Sequence, residues 1–430
     1  MLITIWLLLF VILFVFGYPL IFSLSIPSMI YILMAHISPA VIIDHMVIAF
    51  ERNFILLAVP LFILAANIMN ETTITDRLFN FASKLVGSLK GGMGHVNVIA
   101  SVIFSGMTGS AIADASGLGL IEIKSMKDAG FDPEFSCAIT AASATIGPII
   151  PPSIPMVIYS MISGASIAHL FIGGIIPGLF LALSMMLYTS YISHKRNYPR
   201  GAPFNLKELI KAFYKGFFPL LTPIVLLWGI YGGVFTPTEA AAATVLYALI
   251  VSAIGYRVLG FKRLLNIFKN SALITGYVSG VVGSALLFSY IVSREQIPAV
   301  LTNFVMDSGI ITNKIIFLLF VNILLFLLGC VMDPIVGELI VIPILLPIAI
   351  LFQVDLIHLG VITTLNSMIG LSTPPYGESL FIVSATAKVP LGGIIREIWP
   401  FIAILTAVLL ICTYIPEIVL FLPKLVGYVP

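Results

Sequence analysis

Long apolar runs separated by short clusters of glycine, proline and charge dominate the chain. Stretches such as Ile5–Phe16, Phe54–Met69 and Ile315–Leu328 are nearly continuous in aliphatic and aromatic residues. A helix that crosses a hydrocarbon layer about 30 Å thick needs such a pattern. Reading the runs between their punctuation predicts an all-α transmembrane fold with ten crossings, at 2–16, 18–36, 52–71, 135–166, 168–194, 215–234, 238–256, 272–294, 355–388 and 390–422. Two further runs, 93–130 and 314–352, are interrupted near their middles by small, polar and acidic residues. They are predicted to be re-entrant helical hairpins, because irregular backbone at membrane depth survives only where protein or a water-lined cavity satisfies it. Residues 74–88 and 296–311 are amphipathic and suit helices lying along the membrane surface.

Charge then sets the sidedness. With the N-terminus outside, 17 of the 21 Lys and Arg residues fall on the inner face; only Arg52, Arg294, Lys314 and Lys424 fall outside. That is a positive-inside bias, and it requires each hairpin to return to the side it entered. A hairpin rewritten as a full span would move Lys388 and Arg396 to the wrong face. Both termini are expected outside, and the first run is read as a retained helix, having no basic leader or small-residue cleavage site. Only 9% of residues are charged, against about a quarter in soluble domains, and a net charge of +2 gives no footprint for nucleic acid. Cys137, Cys330 and Cys412 form no CxxC pair, the six histidines show no ligand spacing, and there is no Walker A or GxSxG motif. ATP-driven transport by this chain and hydrolase chemistry therefore have no support, and an enzyme is not expected.

The halves of the chain are related. At a fixed offset of 223 residues Gly106 matches Gly329, Asp132 matches Asp355, Ile139-Thr140 matches Ile362-Thr363, Ile146-Gly147 matches Ile369-Gly370, Pro151-Pro152 matches Pro374-Pro375, and Pro177 matches Pro400. The matches are Gly, Pro, Asp and Thr, not interchangeable aliphatics. The topology puts Asp132 inside and Asp355 outside, so the copies are expected to be inverted, 1–194 and 215–430, joined by a cytoplasmic linker 195–214. Inverted repeats with interrupted helices characterise secondary transporters.

Four interruptions carry the candidate chemistry. The runs 135–166 and 355–388 contain Gly147–Ser153 and Gly370–Glu378, each with a proline pair. Paired prolines remove two donors and clash with carbonyls one turn back, so the helix must break. The freed carbonyls suit a hard cation such as Na⁺, and the exposed N–H groups of the next half-helix suit a carboxylate. The hairpin tips, Ser105–Gly117 and Gly329–Glu338, supply the opposite wall. Asp114, Asp333, Glu338 and Glu378 fall at membrane depth, where ionised groups are costly and usually functional. Thr108 and Ser110 add hydroxyls beside Asp114, while Asp333 before Pro334 suits a helix cap as well as an ion site. Thr236 and Glu239 form a capping box. Arg294, alone at its end of a span, suits either snorkelling or an encounter with an anionic substrate.

At Gly109–Asp114, Gly147–Ser153, Thr236–Ala241 and Ser372–Glu378 the sequence resembles the large permease subunit of the tripartite ATP-independent periplasmic (TRAP) transporters, members of the ion transporter superfamily. The resemblance runs over essentially the whole chain. It implies an elevator-type carrier in the bacterial cytoplasmic (inner) membrane that couples uptake of an organic acid, such as a C4-dicarboxylate or a sialic acid, to a Na⁺ gradient. Scaffold helices would come from 1–92 and 215–311, and a transport domain from hairpins and broken helices in 93–166 and 314–388. Helices 168–194 and 390–422 complete the repeats. The partners implied are a four-helix small membrane subunit and a periplasmic substrate-binding protein; no cofactor is implied beyond Na⁺ as coupling ion. One Na⁺ site would use Ser105, Gly106, Gly147, Ile150 and Ser153. Its mate would use Gly329, Gly370, Thr373 and Tyr376. Thr108, Ser110 and Asp114 would face the substrate between them. The alternative is a stand-alone ion-coupled transporter or antiporter of the same superfamily.

Overall fold

The computed structural model describes residues 2–72, 74–309 and 311–429. Among these, the regular elements are helical, apart from an isolated bridge between Lys90 and Arg200. In chain order the main helices are α1 (Leu2–Val15), α2 (Leu20–Met34), α3 (Ala58–Asn70), α4 (Ile74–Val86), α5 (Gly92–Thr108), α6 (Gly119–Asp128), α7 (Pro133–Ser143), α8 (Ile154–Ser163), α9 (Ile167–Lys195) and α10 (Leu206–Tyr231). They continue as α11 (Pro237–Ile250), α12 (Phe261–Arg294), α13 (Ile297–Ser308), α14 (Lys314–Gly329), α15 (Pro334–Leu351), α16 (Leu356–Leu371), α17 (Glu378–Ala387), α18 (Leu391–Tyr414) and α19 (Glu417–Leu425). Met1, and Ile310 at the end of the second amphipathic stretch, lie outside the described residues.

Among the described residues, six helices are long and apolar enough to cross a membrane: α9, α10, α11 with its extension to Gly255, α12, α15 and α18. A seventh follows if Phe54–Asn70 and Ile74–Val86, bent by 71°, count as one span. The ten crossings expected from hydropathy thus resolve differently. Runs 135–166 and 355–388 are each two shorter helices around a break, and the run to 422 divides at Ile415-Pro416, where α18 ends. Single prolines do not have this effect: Pro177 in α9, Pro219 and Pro223 in α10 and Pro400 in α18 all sit inside continuous helices. Neighbouring helices re-satisfy one freed carbonyl, whereas a proline pair preceded by glycine leaves too few bonds to continue.

The two interrupted runs do fold back on themselves. In the first, Asn97 on α5 donates to Glu122 on α6 at 2.9 Å. In the second, Lys314 Nζ at the start of α14 reaches the Gln353 carbonyl beyond α15 at 3.1 Å. Helix starts are capped by side chains: Asp333 accepts from Ile335 and Val336, Asp355 from Ile357 and His358, and Ser153 from Met156. Thr236 and Glu239 close the expected capping box.

Packing crosses between the halves. Helix α8 lies on α15 and helix α17 on α6, so the half-helix after each break rests on the returning leg of the other hairpin. Gly280 of α12 approaches Ile21 and Gly283 approaches the Met46 backbone, while Gly276 faces open space. The three cysteines are buried and unbridged. Beyond the helix ends, Arg196 grips Glu397 with two 2.9 Å bonds and Asp132 with one of 3.0 Å. Tyr198 in the same segment donates to Asp132 at 2.5 Å, and burial together with that carboxylate pushes its hydroxyl up to about 12.

Candidate functional site

Each break meets a hairpin tip, and glycine is what lets the backbones touch. Helix α14 ends at Gly329 and α16 passes through Gly370. A methyl group on Gly370 would stand 2.5 Å from the Gly329 Cα; one on Gly329 would stand 2.9 Å from the Gly370 Cα. Tyr376 N–H donates across the junction to the Cys330 carbonyl at 3.2 Å, and Thr373 donates its hydroxyl to the Ile369 carbonyl at 2.8 Å. Gly329, Gly370, Thr373 and Tyr376 are therefore brought together, with the Tyr376 ring exposed and its backbone at the junction. Ser372 ties the same break to the first half, donating to the Ala141 carbonyl at 2.9 Å beside Ser379 at 3.0 Å.

The first junction is built differently. Helix α5 runs on to Thr108, Gly109 turns with φ +60°, and Ser110 caps the next turn by accepting from Ala113 at 3.3 Å. Gly109 makes the tight contact here: a Cβ on it would collide with the Pro152 carbonyl, 2.9 Å from its carbon. Gly147 is looser, with the Ser110 backbone 3.5 Å from where its Cβ would be. Gly106 faces Pro223 of α10 and lies near the Pro151 carbonyl. Ser105 donates to the Val102 carbonyl at 2.6 Å, leaving its oxygen lone pairs free. Ile150 turns its side chain onto Gly178 of α9, so only its backbone faces the break. Both proline pairs contain a cis bond.

Between the tips and helices α3 and α12 lies a cavity of about 470 Å³. Thr108 and Ser110 line it, together with Asn67, Asn70, Tyr277, Asp333 and Glu378. Asp114 and Arg294 are not among its lining residues. Asp114 is 1% exposed, beside Ser101 and behind the tip, with neither carboxylate oxygen hydrogen-bonded to a described residue. Arg294 stands at the far end of α12 beside Tyr290, near the Tyr31–Glu295 pair. Asn67, Asn70 and Tyr277 had not been singled out in the sequence. A signal for the asparagines existed: they stand three apart on an otherwise apolar helix, hence on one face.

A polar network fastens each hairpin to its broken helix. In the first, Asn97 donates to Glu122 and to Thr140 (2.7 Å), Ser143 donates to Asn97 (2.7 Å), and Ser101 donates to Ser143 (3.1 Å). In the second, Asn366 donates to the Asn322 side chain (3.1 Å) and carbonyl (2.8 Å), and Asn322 donates to Thr413 (3.0 Å). Ser143 and Asn366 are matched by the 223-residue offset.

Residues 7–418 match the family model described as tripartite ATP-independent periplasmic transporter, DctM component. The chain is 40% identical over 413 residues to the sialic acid TRAP transporter large permease protein SiaM of Vibrio cholerae, covering 96% of each chain. It is 39% identical over 409 residues to the sialic acid TRAP transporter permease protein SiaT of Haemophilus influenzae, covering 95% of this chain and 66% of that one. The C4-dicarboxylate TRAP transporter large permease protein DctM of Pseudomonas aeruginosa is 36% identical over 377 residues, 88% of each chain. The crystal structure of the Alcanivorax borkumensis YdaH transporter superposes with a TM-score of 0.62 over 86% of each chain at 12% identity, a likeness of fold.

Proposed function

Because the chain belongs to the DctM component family of tripartite ATP-independent periplasmic transporters, we propose that it is a large permease subunit that imports an organic acid with Na⁺. The observation that carries this reading is the backbone contact between Gly329 and Gly370. It gathers carbonyl and hydroxyl oxygens where a hard monovalent cation would be held, and it brackets the cavity together with the tip of the first hairpin. Ser105, Gly106, Gly147, Ile150 and Ser153 would hold one Na⁺, mostly through backbone oxygens; Gly329, Gly370, Thr373 and Tyr376 would hold the other. Thr108 and Ser110 face the cargo. Asp114 acts from behind the tip, and Arg294 would meet the anion only on its way in or out.

The crosswise packing of α8 on α15 and α17 on α6 supports two inverted repeats, with α5–α8 and α14–α17 moving as one body. That body would slide against a scaffold of α1–α4 and α10–α13, and the networks at Asn97 and Asn322 would keep each hairpin with its broken helix. The sialic acid and C4-dicarboxylate names of the relatives suggest the cargo class. A substrate-binding protein and a small membrane subunit would deliver it, with both termini of this chain outside the cytoplasmic membrane.

The test is uptake into proteoliposomes containing this chain, with and without its small subunit, the binding protein and an inward Na⁺ gradient. Uptake should require all three. Transport of a carboxylate by this chain alone would replace the tripartite reading with that of a stand-alone carrier.

A further inference from the structure

The charged lining of the 470 Å³ cavity is entirely acidic. Asp333 and Glu378 face it, and among the described residues no Lys, Arg or His does. Asp333 commits one oxygen to capping α15, accepting from Ile335 at 2.8 Å and Val336 at 3.3 Å, which leaves its second oxygen for the cavity. Glu378 opens α17 behind Gly377, and no ion pair among the described residues involves either acid. On the next turn of α15, Glu338 is 0% exposed, and both its oxygens lack a hydrogen-bond partner among the described residues. The neutral polar lining is Asn67, Asn70, Thr108, Ser110, Ser116 and Tyr277 against aliphatic walls.

Such a lining is poorly matched to a bare dicarboxylate, which brings four acceptor oxygens and no donor for the two acidic side chains. Coupling cations offset charge but donate no hydrogen bond to Asp333 or Glu378. Hydroxyl groups on the cargo reverse the mismatch, since an O–H donated to a carboxylate is charge-assisted and roughly twice as strong as a neutral pair. A site arranged for such donors discriminates against an analogue lacking them, because its own buried groups are left unpaired.

We infer that the cargo is a polyhydroxylated organic acid whose hydroxyls donate to Asp333 and Glu378, rather than a bare dicarboxylate. This rests on the carrier reading above and specifies its substrate class. The experiment measures the thermal unfolding midpoint of the purified complex with its small subunit, in NaCl and in choline chloride. It titrates two pairs that differ only in hydroxyl donors, D-glucarate against adipate and D-gluconate against hexanoate, and a control pair, L-glutamate against glutarate, that differs by an ammonium group. The hydroxylated member of at least one of the first two pairs should half-saturate at about tenfold lower concentration, the worth of roughly one such bond. Glu378→Gln, and independently Asp333→Asn, which keeps a capping oxygen, should bring that ratio toward one. Equal effects of adipate and glucarate, and of hexanoate and gluconate, overturn the inference. So does a preference confined to glutamate, which would assign the acids to an ammonium group, or ratios unchanged in both variants. If Na⁺ stabilises the complex and none of these acids does, the inference falls alone; if Na⁺ itself has no effect, the carrier reading falls first.

Discussion

Replacing Gly370 by alanine is the smallest perturbation that tests whether the second tip and break must touch. The added methyl would stand 2.5 Å from the Gly329 Cα, 2.8 Å from its carbonyl carbon and 3.1 Å from its oxygen. Carbon atoms prefer about 3.5–4.0 Å, and backbone on both sides leaves no flexible end to give way. The tip must retreat by about 1 Å, or the contact is overpacked at a cost of about 1–3 kcal/mol. Either way the strain falls on the state in which tip and break are closed around the proposed ion. A penalty of that size corresponds to an affinity loss of about 5- to 150-fold. The half-saturating Na⁺ concentration for uptake into proteoliposomes should rise within that range, while the detergent-solubilised complex stays folded. Gly276→Ala is the control, since nothing lies within 4 Å of its Cβ position; it should behave as the parent. Folded Gly370→Ala protein with parental Na⁺ dependence would refute the claim that this contact forms the site.

In the first half the tight glycine is Gly109, so Gly109→Ala should impair Na⁺-driven uptake more than Gly147→Ala, measured as initial rates at limiting Na⁺. Asp114→Ala should lower the uptake rate, and an unchanged rate and Na⁺ dependence would reduce the carboxyl to a structural part. Asn97→Ala strips Glu122, Thr140 and Ser143 of a shared buried partner and should destabilise the complex by about 3 kcal/mol in thermal or denaturant unfolding. Thr236→Ala removes one side of an exposed capping box; it should cost about 1 kcal/mol and leave uptake as it was.

Much of this architecture was legible because proline and glycine act locally. The pairs at Pro151-Pro152 and Pro374-Pro375 forbid a continuous helix whatever surrounds them, so the breaks and the two short half-helices could be placed from residues alone. Pro177 and Pro400 match across the repeat equally well, yet both lie in unbroken helices. Whether one proline interrupts a helix depends on neighbours that sequence does not place. The same limit hid the Asn97 network, whose members lie up to 46 residues apart and each look like an isolated polar residue in an apolar run. Asp114 looked like a cavity residue because its neighbours Thr108 and Ser110 line the cavity; one turn of helix beyond the Ser110 cap carries it behind the tip.

The repeat itself shows how far register can be carried into contact. Gly147 and Gly370 are matched by the 223-residue offset, as are Gly106 and Gly329. Gly329 touches Gly370, yet Gly106 faces Pro223 of α10 and leaves Gly147 to the Ser110 backbone. The difference arises because α5 continues two residues past Gly106, to Thr108, whereas α14 stops at Gly329. Gly109 then turns at positive φ and takes over the close approach, against Pro152. The acids are unequal too: Asp333 and Glu378 reach the cavity from the second tip and break, while Asp114 of the first tip is withdrawn from it. Two ion sites proposed from matched residues thus have unmatched walls and unmatched nearby charge. The second, with carboxylates beside it, is the one at which the proposed cation would be held more tightly and at which the cargo's hydroxyls would be read.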